Sequence, residues 1–265
     1  METEREARRR SLRLFVCLLL TVLLVGAFSA PAWAAKKGWV KKSGKTYYYK
    51  SGKKVKGWKK ISGKYYYFDK KGVMQVNTIA GSEAEGYHYV DKKGIRCTDK
   101  TVELAKDLVL SLTKPSWSAV KKLQTCYFYL VRDCSYVLDS YSFSPASFPS
   151  MARKMFLRCA GDCYEGALCM AYVGKVLGFT SRMVKGYVDS KLSPSQVANL
   201  AHVAGNEHGW AEIMAEGTVY RVYDVSMARV YPPKLYHIPR ASYPYAIQAL
   251  QGFKLNIVNG IVSWD

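Results

Sequence analysis

A nineteen-residue unit occurs twice in tandem, as GWVKKSGKTYYYKSGKKVK over 38–56 and GWKKISGKYYYFDKKGVMQ over 57–75, so that Trp39 matches Trp58 and Tyr48 matches Tyr67. A third, degraded copy shows in YHYVDKKG (87–94), which echoes YYYFDKKG (65–72) but lacks a leading Gly-Trp. Each copy sets an aromatic run between Gly-containing turns, the pattern of a β-hairpin. One hairpin of this size cannot bury a core, so the copies are expected to stack into a short solenoid over 36–98.

From about Lys100 the Lys/Gly/Tyr bias gives way to helical periodicity, which predicts a second unit over 101–265, long enough for one sizeable core. Thr101–Leu112 reads as a helix that Pro115 ends, and Ser116 or Ser118 is placed to cap another running to about Arg132. The stretch YSFSPASFPS (141–150), with two prolines and four serines, predicts a surface loop beside the candidate site discussed below.

Ahead of the repeats, Arg5, Arg8, Arg9, Arg10 and Arg13 precede the apolar run Leu14–Phe28, and the small residues Ala32 and Ala34 follow. Residues 1–34 therefore read as a signal peptide cleaved after Ala34. The run falls short of the roughly 20 residues that a permanent span requires, so no permanent membrane span is expected. Export changes the meaning of the formal charge of +20, which in a cytosolic protein would point to nucleic acid. Residues 36–100 hold 18 Lys/Arg against five Asp/Glu, and the anionic polymers of a bacterial wall are their expected counterpart. The chain is thus expected to be secreted and cell-wall-associated.

Cys17 leaves with the signal, and six cysteines remain: Cys97, Cys126, Cys134, Cys159, Cys163 and Cys169. If one is a working nucleophile, five are left, so at most two disulfides and one spare thiol are available. A metal site on Cys159, Cys163 and Cys169 is disfavoured, because their spacing is not Cys-x-x-Cys and no His-x-x-x-His accompanies them.

The segment CAGDCYEGALCMAYVGKVLGF (159–179) places the turn formers Gly161 and Asp162 ahead of good helix residues, with Gly178 as terminator. Cys163 thus falls at a helix N-terminus, where unpaired N–H groups and the macrodipole favour an anion and hence a nucleophilic thiolate. Cys169, within the apolar helix, reads as a core residue instead. In NEHGWAEIMAEGTVYRVYDVSM (206–227), alternation over His208, Trp210, Glu212 and over Tyr220, Val222, Asp224 predicts two strands. A three-residue loop Ala215–Gly217, with Gly217 left-handed, would pair residues whose numbers sum to 432 and set Asp224 opposite His208. His202 and His237 acquire no role.

Two resemblances emerge. The 38–75 repeats resemble the aromatic wall-binding repeats of Gram-positive surface proteins, the family that includes choline-binding modules. That resemblance implies that Trp39, Tyr48, Trp58 and Tyr67 contribute to a wall-ligand site, built on cation–π contacts of about 0.5–2 kcal/mol each. The ligand would be choline, a glycan or a teichoic acid. The motifs GDCY (161–164), HGWAE (208–212) and YDVSM (223–227), taken together, resemble the transglutaminase-like superfamily, a branch of the papain-like fold. The implied fold is α+β, a helix-start cysteine packed on an antiparallel sheet. The implied roles are Cys163 as nucleophile, His208 as base and acid, and Asp224 as orienting carboxylate, with Tyr164, Trp210 and Glu212 supporting the site. Cys126 and Cys134 in CYFYLVRDCSY also resemble cysteines of bacterial members, without a role that follows from the sequence, and the disulfide pairing stays open.

The implied reaction is attack of Cys163 on an amide carbonyl of a protein or peptide substrate, giving a thioester. The Cys163 N–H would supply one oxyanion donor, and Gln124 is the residue named for the second. Water as acceptor gives a peptidase or amidase, lysine a crosslinker, and hydrolysis is preferred because water is abundant outside the cell. A non-catalytic, wall-anchored binding protein stays open as a third reading. Another wall-active cysteine peptidase family, with Ser after the nucleophile and a second His as orienter, fits Tyr164 and Asp224 poorly. No cofactor is implied, and no acidic calcium loop is recognisable.

Overall fold

A computed structural model describes residues 37–193, 207–230 and 235–265. The export segment read over 1–34, with Cys17, and His202 lie outside these residues. Among the described residues no helix is long and apolar enough to cross a membrane.

The architecture is mixed α/β, with hairpins first. Strands β1 (Gly38–Lys42) and β2 (Lys45–Lys50) pair antiparallel, with the short β3 (Lys53–Lys54) added to β2. Strands β4 (Gly57–Ile61) and β5 (Lys64–Phe68) form a second hairpin, β6 (Thr78–Ser82) and β7 (Gly86–Val90) a third. In the first two the turn is Ser-Gly with φ positive at both residues, at 48° and 70° for Ser43 and Gly44 and 48° and 80° for Ser62 and Gly63. Such a two-residue turn matches the twist of the strands it joins. It fixes Trp39 opposite Tyr48 and Trp58 opposite Tyr67.

Consecutive hairpins are joined alike: the Met74 N–H donates to the Thr46 carbonyl at 2.8 Å, and the Arg96 N–H to that of Tyr65 at 3.0 Å. The echoed Asp-Lys-Lys-Gly turns are also alike, since Asp69 caps Lys71 and Val73 while Asp91 caps Lys93 and Ile95 through backbone N–H groups. The third hairpin is seated on the globular core rather than tethered to it. Tyr89 is fully buried within that core, Asn77 Nδ2 donates to the Gly178 carbonyl at 2.6 Å, and the Gly260 N–H reaches Asp91 Oδ2 at 3.2 Å.

Helix α1 (Lys100–Leu112) is capped by Asp99 and α2 (Ala119–Arg132) by Ser118, whose side chain accepts from the Lys121 N–H. Helix α3 (Phe148–Arg158) occupies the end of the stretch read as a loop. Pro149 lies in its first turn, where a missing N–H costs nothing, so the proline starts a helix instead of excluding one. Two short strands, β8 (Ser135–Tyr136) and β9 (Ala160–Gly161), pair in parallel on either side of α3. The disulfide Cys134–Cys159 closes immediately before both. Cys134 therefore pairs with Cys159, a pairing the sequence left open, and Cys126 stays a free thiol buried in α2.

Helix α4 (Cys163–Val176) is buried along its whole length, which explains why its sequence shows no amphipathic stripe. It packs against an antiparallel six-stranded sheet of β10 (Thr180–Asp189), β11 (Glu207–Met214), β12 (Arg221–Tyr223), β13 (Tyr236–Ile238), β14 (Ala246–Val258) and β15 (Ile261–Trp264). The spatial order is β13-β12-β11-β10-β14-β15. Gly174 permits the close approach of helix to sheet, since a Cβ there would stand 2.9 Å from Ile213 Cδ1.

Candidate active site

Cys163 is the first residue of α4. Its placement is local chemistry. The Asp162 carboxylate accepts from the Glu165 N–H at 3.0 Å and Glu165 Oε2 accepts from the Asp162 N–H at 3.2 Å, a reciprocal capping box that starts the helix one residue before the cysteine. Tyr141 donates its hydroxyl proton to the second oxygen of Asp162.

His208 enters from the central strand β11, close enough to Cys163 for the two to interact electrostatically. The contact needs close passage of β11 over α4, and Gly209 provides it: a Cβ there would meet the Tyr164 ring at 2.4 Å. His208 Nε2 lies 2.8 Å from Asp224 Oδ2, leaving Nδ1 for the sulfur. Asp224 is fully buried and heavily engaged. Tyr243 donates to Oδ2 at 2.7 Å, the Met227 N–H donates to Oδ1 at 3.0 Å, and the Tyr127 hydroxyl donates to the Asp224 carbonyl at 3.0 Å.

The hairpin expectation is corrected in its register. Ala211 pairs with Tyr223, Glu212 with Val222 and Ile213 with Arg221, so paired numbers sum to 434. The loop is longer than three residues, although Gly217 does adopt a left-handed φ of 70°. Because the displacement is by two, side-chain parity survives. Asp224 lies just beyond the end of β12 and reaches back to His208 from there.

Charge at the site follows from this packing. Burial works against the His208 imidazolium, but the Asp224 carboxylate and Cys163 outweigh it and push the imidazole up to about 10. Burial likewise opposes ionisation of Asp224, and the imidazolium with its hydrogen-bond donors keeps the carboxyl below its ordinary value. The pair is an ion pair at neutral pH, with positive charge beside the sulfur.

Trp210, two residues along β11, lies with its ring nearly parallel to that of His208, centroids 6.1 Å apart, and its Nε1 donates to Glu212 Oε1 at 3.0 Å. Glu212 makes no hydrogen bond or ion pair with Cys163, His208 or Asp224. It is buried between two guanidiniums, Arg182 Nη2 at 2.6 Å from Oε2 and Arg240 Nε at 2.9 Å from Oε1, and so holds Trp210 from behind. Tyr164 lines the other side of the cysteine, packed on Phe143 with centroids 4.7 Å apart. Gln124 is exposed on α2, away from the cysteine.

Several site tyrosines carry no motif. Tyr127, Tyr141 and Tyr243 hold the acidic groups. Tyr136, on β8, is set opposite Gly161, two residues before Cys163, by the parallel ladder. The only local hint was a Cys–Ser–Tyr sequence, whose meaning depends on a disulfide partner 25 residues away. His237 meets the Tyr223 hydroxyl at 2.7 Å.

In the repeats, Trp39 stands 5.0 Å from Tyr48 within its hairpin, and 5.0 Å from Tyr66 of the next. Trp58 stands 5.1 Å from Tyr67 and 5.5 Å from His88 of the third hairpin. The neighbour that faces each tryptophan across the gap is thus Tyr66 or His88, not the matching Trp-Tyr pair. The Arg96 guanidinium lies 4.5 Å from the Tyr65 ring and 5.9 Å from that of Trp58.

Residues 103–225 match the transglutaminase-like superfamily, and 37–52 with 56–74 match the family described as "Putative cell wall binding repeat". No curated protein sequence matches the chain. Among solved structures, the choline binding domain of Spr1274 from Streptococcus pneumoniae is 28% identical, covering 27% of this chain and 81% of that one, with a TM-score of 0.23. Choline binding protein F of the same organism, solved with a peptidoglycan analogue, is 26% identical over 24% of this chain and 20% of that one, TM-score 0.20. A "Putative Cysteine Protease" from Cytophaga hutchinsonii is 15% identical over 60% of this chain and 50% of that one, TM-score 0.35. The chain spans only part of the length of the last two.

Proposed function

We propose that this chain, which joins a transglutaminase-like core to cell-wall-binding repeats, is a secreted, wall-held cysteine hydrolase of amide bonds in proteins or peptides. Residues 1–34 would direct export, a repeat solenoid over 36–98 would bind the wall polymer, and 101–265 would carry out the chemistry. The observation that carries this reading is the buried pair in which His208, interacting electrostatically with Cys163, is held by an Asp224 whose oxygens are otherwise committed. A surface histidine and a chance carboxylate would not need such support.

In this reading Cys163 Sγ attacks the amide carbonyl carbon, a C–S bond forms, and the carbonyl electron pair moves to oxygen. The oxyanion is met by the Cys163 N–H, one of the donors that a helix start leaves unpaired. Collapse breaks the C–N bond, and His208 passes its proton to the leaving amine. Water then attacks the thioester while His208 accepts a proton, and collapse releases the acid and restores the thiol pair. Asp224 keeps the imidazole oriented throughout. Trp210 and Tyr164 flank the imidazole and the sulfur; Glu212 fixes Trp210.

The test is product analysis by mass spectrometry after incubation with wall-derived peptides, with and without a primary amine. Free acid formed by the wild type and absent with Cys163→Ala supports hydrolysis. An amide of the added amine as main product would replace hydrolysis by crosslinking, and no Cys163-dependent product would favour a binding role.

A further inference from the structure

We infer that the cavity at the end of β11 away from His208 is a binding site for a phosphate group, held by the guanidiniums of Arg182 and Arg240. The site stands apart from the chemistry read at Cys163, so either can fail without the other.

The cavity has a volume of about 480 Å³, and its wall includes Arg182, Glu212, Tyr220, Arg221 and Arg240. The Glu212 carboxylate there is over-supplied with donors. Its Oε2 accepts from Arg182 Nε at 2.9 Å and Nη2 at 2.6 Å, and its Oε1 accepts from Trp210 Nε1 at 3.0 Å and from Nε and Nη2 of Arg240. Two guanidiniums thus share one buried carboxylate, which leaves one positive charge over. Nη1 of each arginine donates to no acceptor among the described residues. Arg221 adds a further cationic residue to the wall, and among the described residues no carboxylate other than Glu212 lines the cavity.

Unmet charge in a partly buried cavity is costly, and an anion relieves it. The Tyr220 ring lies 3.9 Å from the Arg182 guanidinium carbon and covers one face of that group, so the donors still open are those along its edge. Arg182 is 29% and Arg240 39% exposed, so a ligand from solvent reaches both. Donors from two residues on one cavity suit the several oxygens of a tetrahedral phosphate better than a planar carboxylate, which a single guanidinium fork satisfies. Glu212 and Trp210 alternate with His208 along one face of β11. The phosphate would therefore lie on the sheet face that carries His208, about 13 Å along the strand.

Phenylglyoxal condenses with accessible guanidiniums, so peptide-mapped modification of the full chain at constant ionic strength reads the site residue by residue. Saturating inorganic phosphate should slow modification of Arg182 and Arg240 by about tenfold, as charge-assisted hydrogen bonds would, and leave the exposed Arg132 of α2 unchanged. Arg240→Gln should raise the phosphate concentration that half-protects Arg182 by about tenfold. Oligomers of glycerol phosphate distinguish the source of the group. Protection at a lower total phosphate concentration than the inorganic ion needs identifies a polymer ligand, and equal or weaker protection identifies the free ion. Absence of protection, equal protection of Arg132, or an unaltered half-protection in Arg240→Gln would overturn the inference. So would acetate that protects as well as phosphate, which would make the occupant a carboxylate.

Discussion

His208 Nε2 and Asp224 Oδ2 are 2.8 Å apart although the two residues are not paired across the β11–β12 hairpin. Asp224 lies past the last residue of β12, and its orientation comes from Tyr243, the Met227 N–H and the bond from Tyr127 to its carbonyl. The carboxylate is therefore positioned by three elements outside the hairpin.

Substituting Asp224→Asn removes the charge that holds His208 as imidazolium. Turnover is expected to fall by about 10³- to 10⁴-fold, as in other triads. In the wild type the alkaline limb should lie near the imidazole value of about 10, and in the variant it should move down toward the ordinary 6.5. The stability sign follows. His208 is raised on folding, so its pairing contributes fully below 6.5 and is lost as pH rises through about 10. Asp224 is depressed, so its contribution is present above 3.8 and lost as pH falls through its lowered value. Paired pH–rate and pH–unfolding profiles of the two proteins check both limbs.

Replacing Glu212→Gln leaves Arg182 and Arg240 without their shared carboxylate. Because both guanidiniums remain partly solvated, the loss should lie at or below the low end of the roughly 3–5 kcal/mol expected for a broken buried pair. Urea unfolding reads the stability. Turnover per folded molecule should fall far less than for Asp224→Asn, since Glu212 touches only Trp210 on the site side.

The Cys134→Ser/Cys159→Ser double variant should lose about 2–4 kcal/mol of stability, the usual worth of a native disulfide. Chemical denaturation of the two proteins measures the loss.

In the repeats, Trp39 is 44% exposed, while Trp58 is contacted by His88 and by the Arg96 guanidinium. A cation from a ligand must compete with Arg96 at Trp58 but not at the face of Trp39 open to solvent. Trp39→Ala should therefore weaken binding to purified walls more than Trp58→Ala does, as measured by sedimentation with the wall material.

How much was legible in the sequence depended on how far each signal had to travel. Hairpin turns and helix caps are local, so Trp39 opposite Tyr48 and the helices after Asp99 and Ser118 could be read from a few residues each. The register of β11–β12 depended on a loop whose closing residues carry no demanding turn chemistry, and the reading missed by two positions. The start of helix α3 is hidden in a stretch whose two prolines and four serines favour a loop, although Pro149 at a first turn is compatible with a helix. Tyr136 and Tyr243 were illegible because their meaning depends on a disulfide and on a strand pairing far along the chain. Among 21 tyrosines, nothing local separates them from those that only pack.

The most direct measurement is peptide-mapped labelling of all free thiols by iodoacetamide at about pH 6, where an ordinary cysteine is almost wholly protonated. Burial pushes the Cys97 thiol up to about 11 and the Cys126 thiol up to about 12, and raises that of Cys169 well above its ordinary value, so none of the three should react in the folded protein. Cys163, beside the His208 imidazolium, should be labelled alone and faster than free cysteine, and Asp224→Asn should abolish that advantage. Labelling of Cys163 no faster than free cysteine would contradict the account.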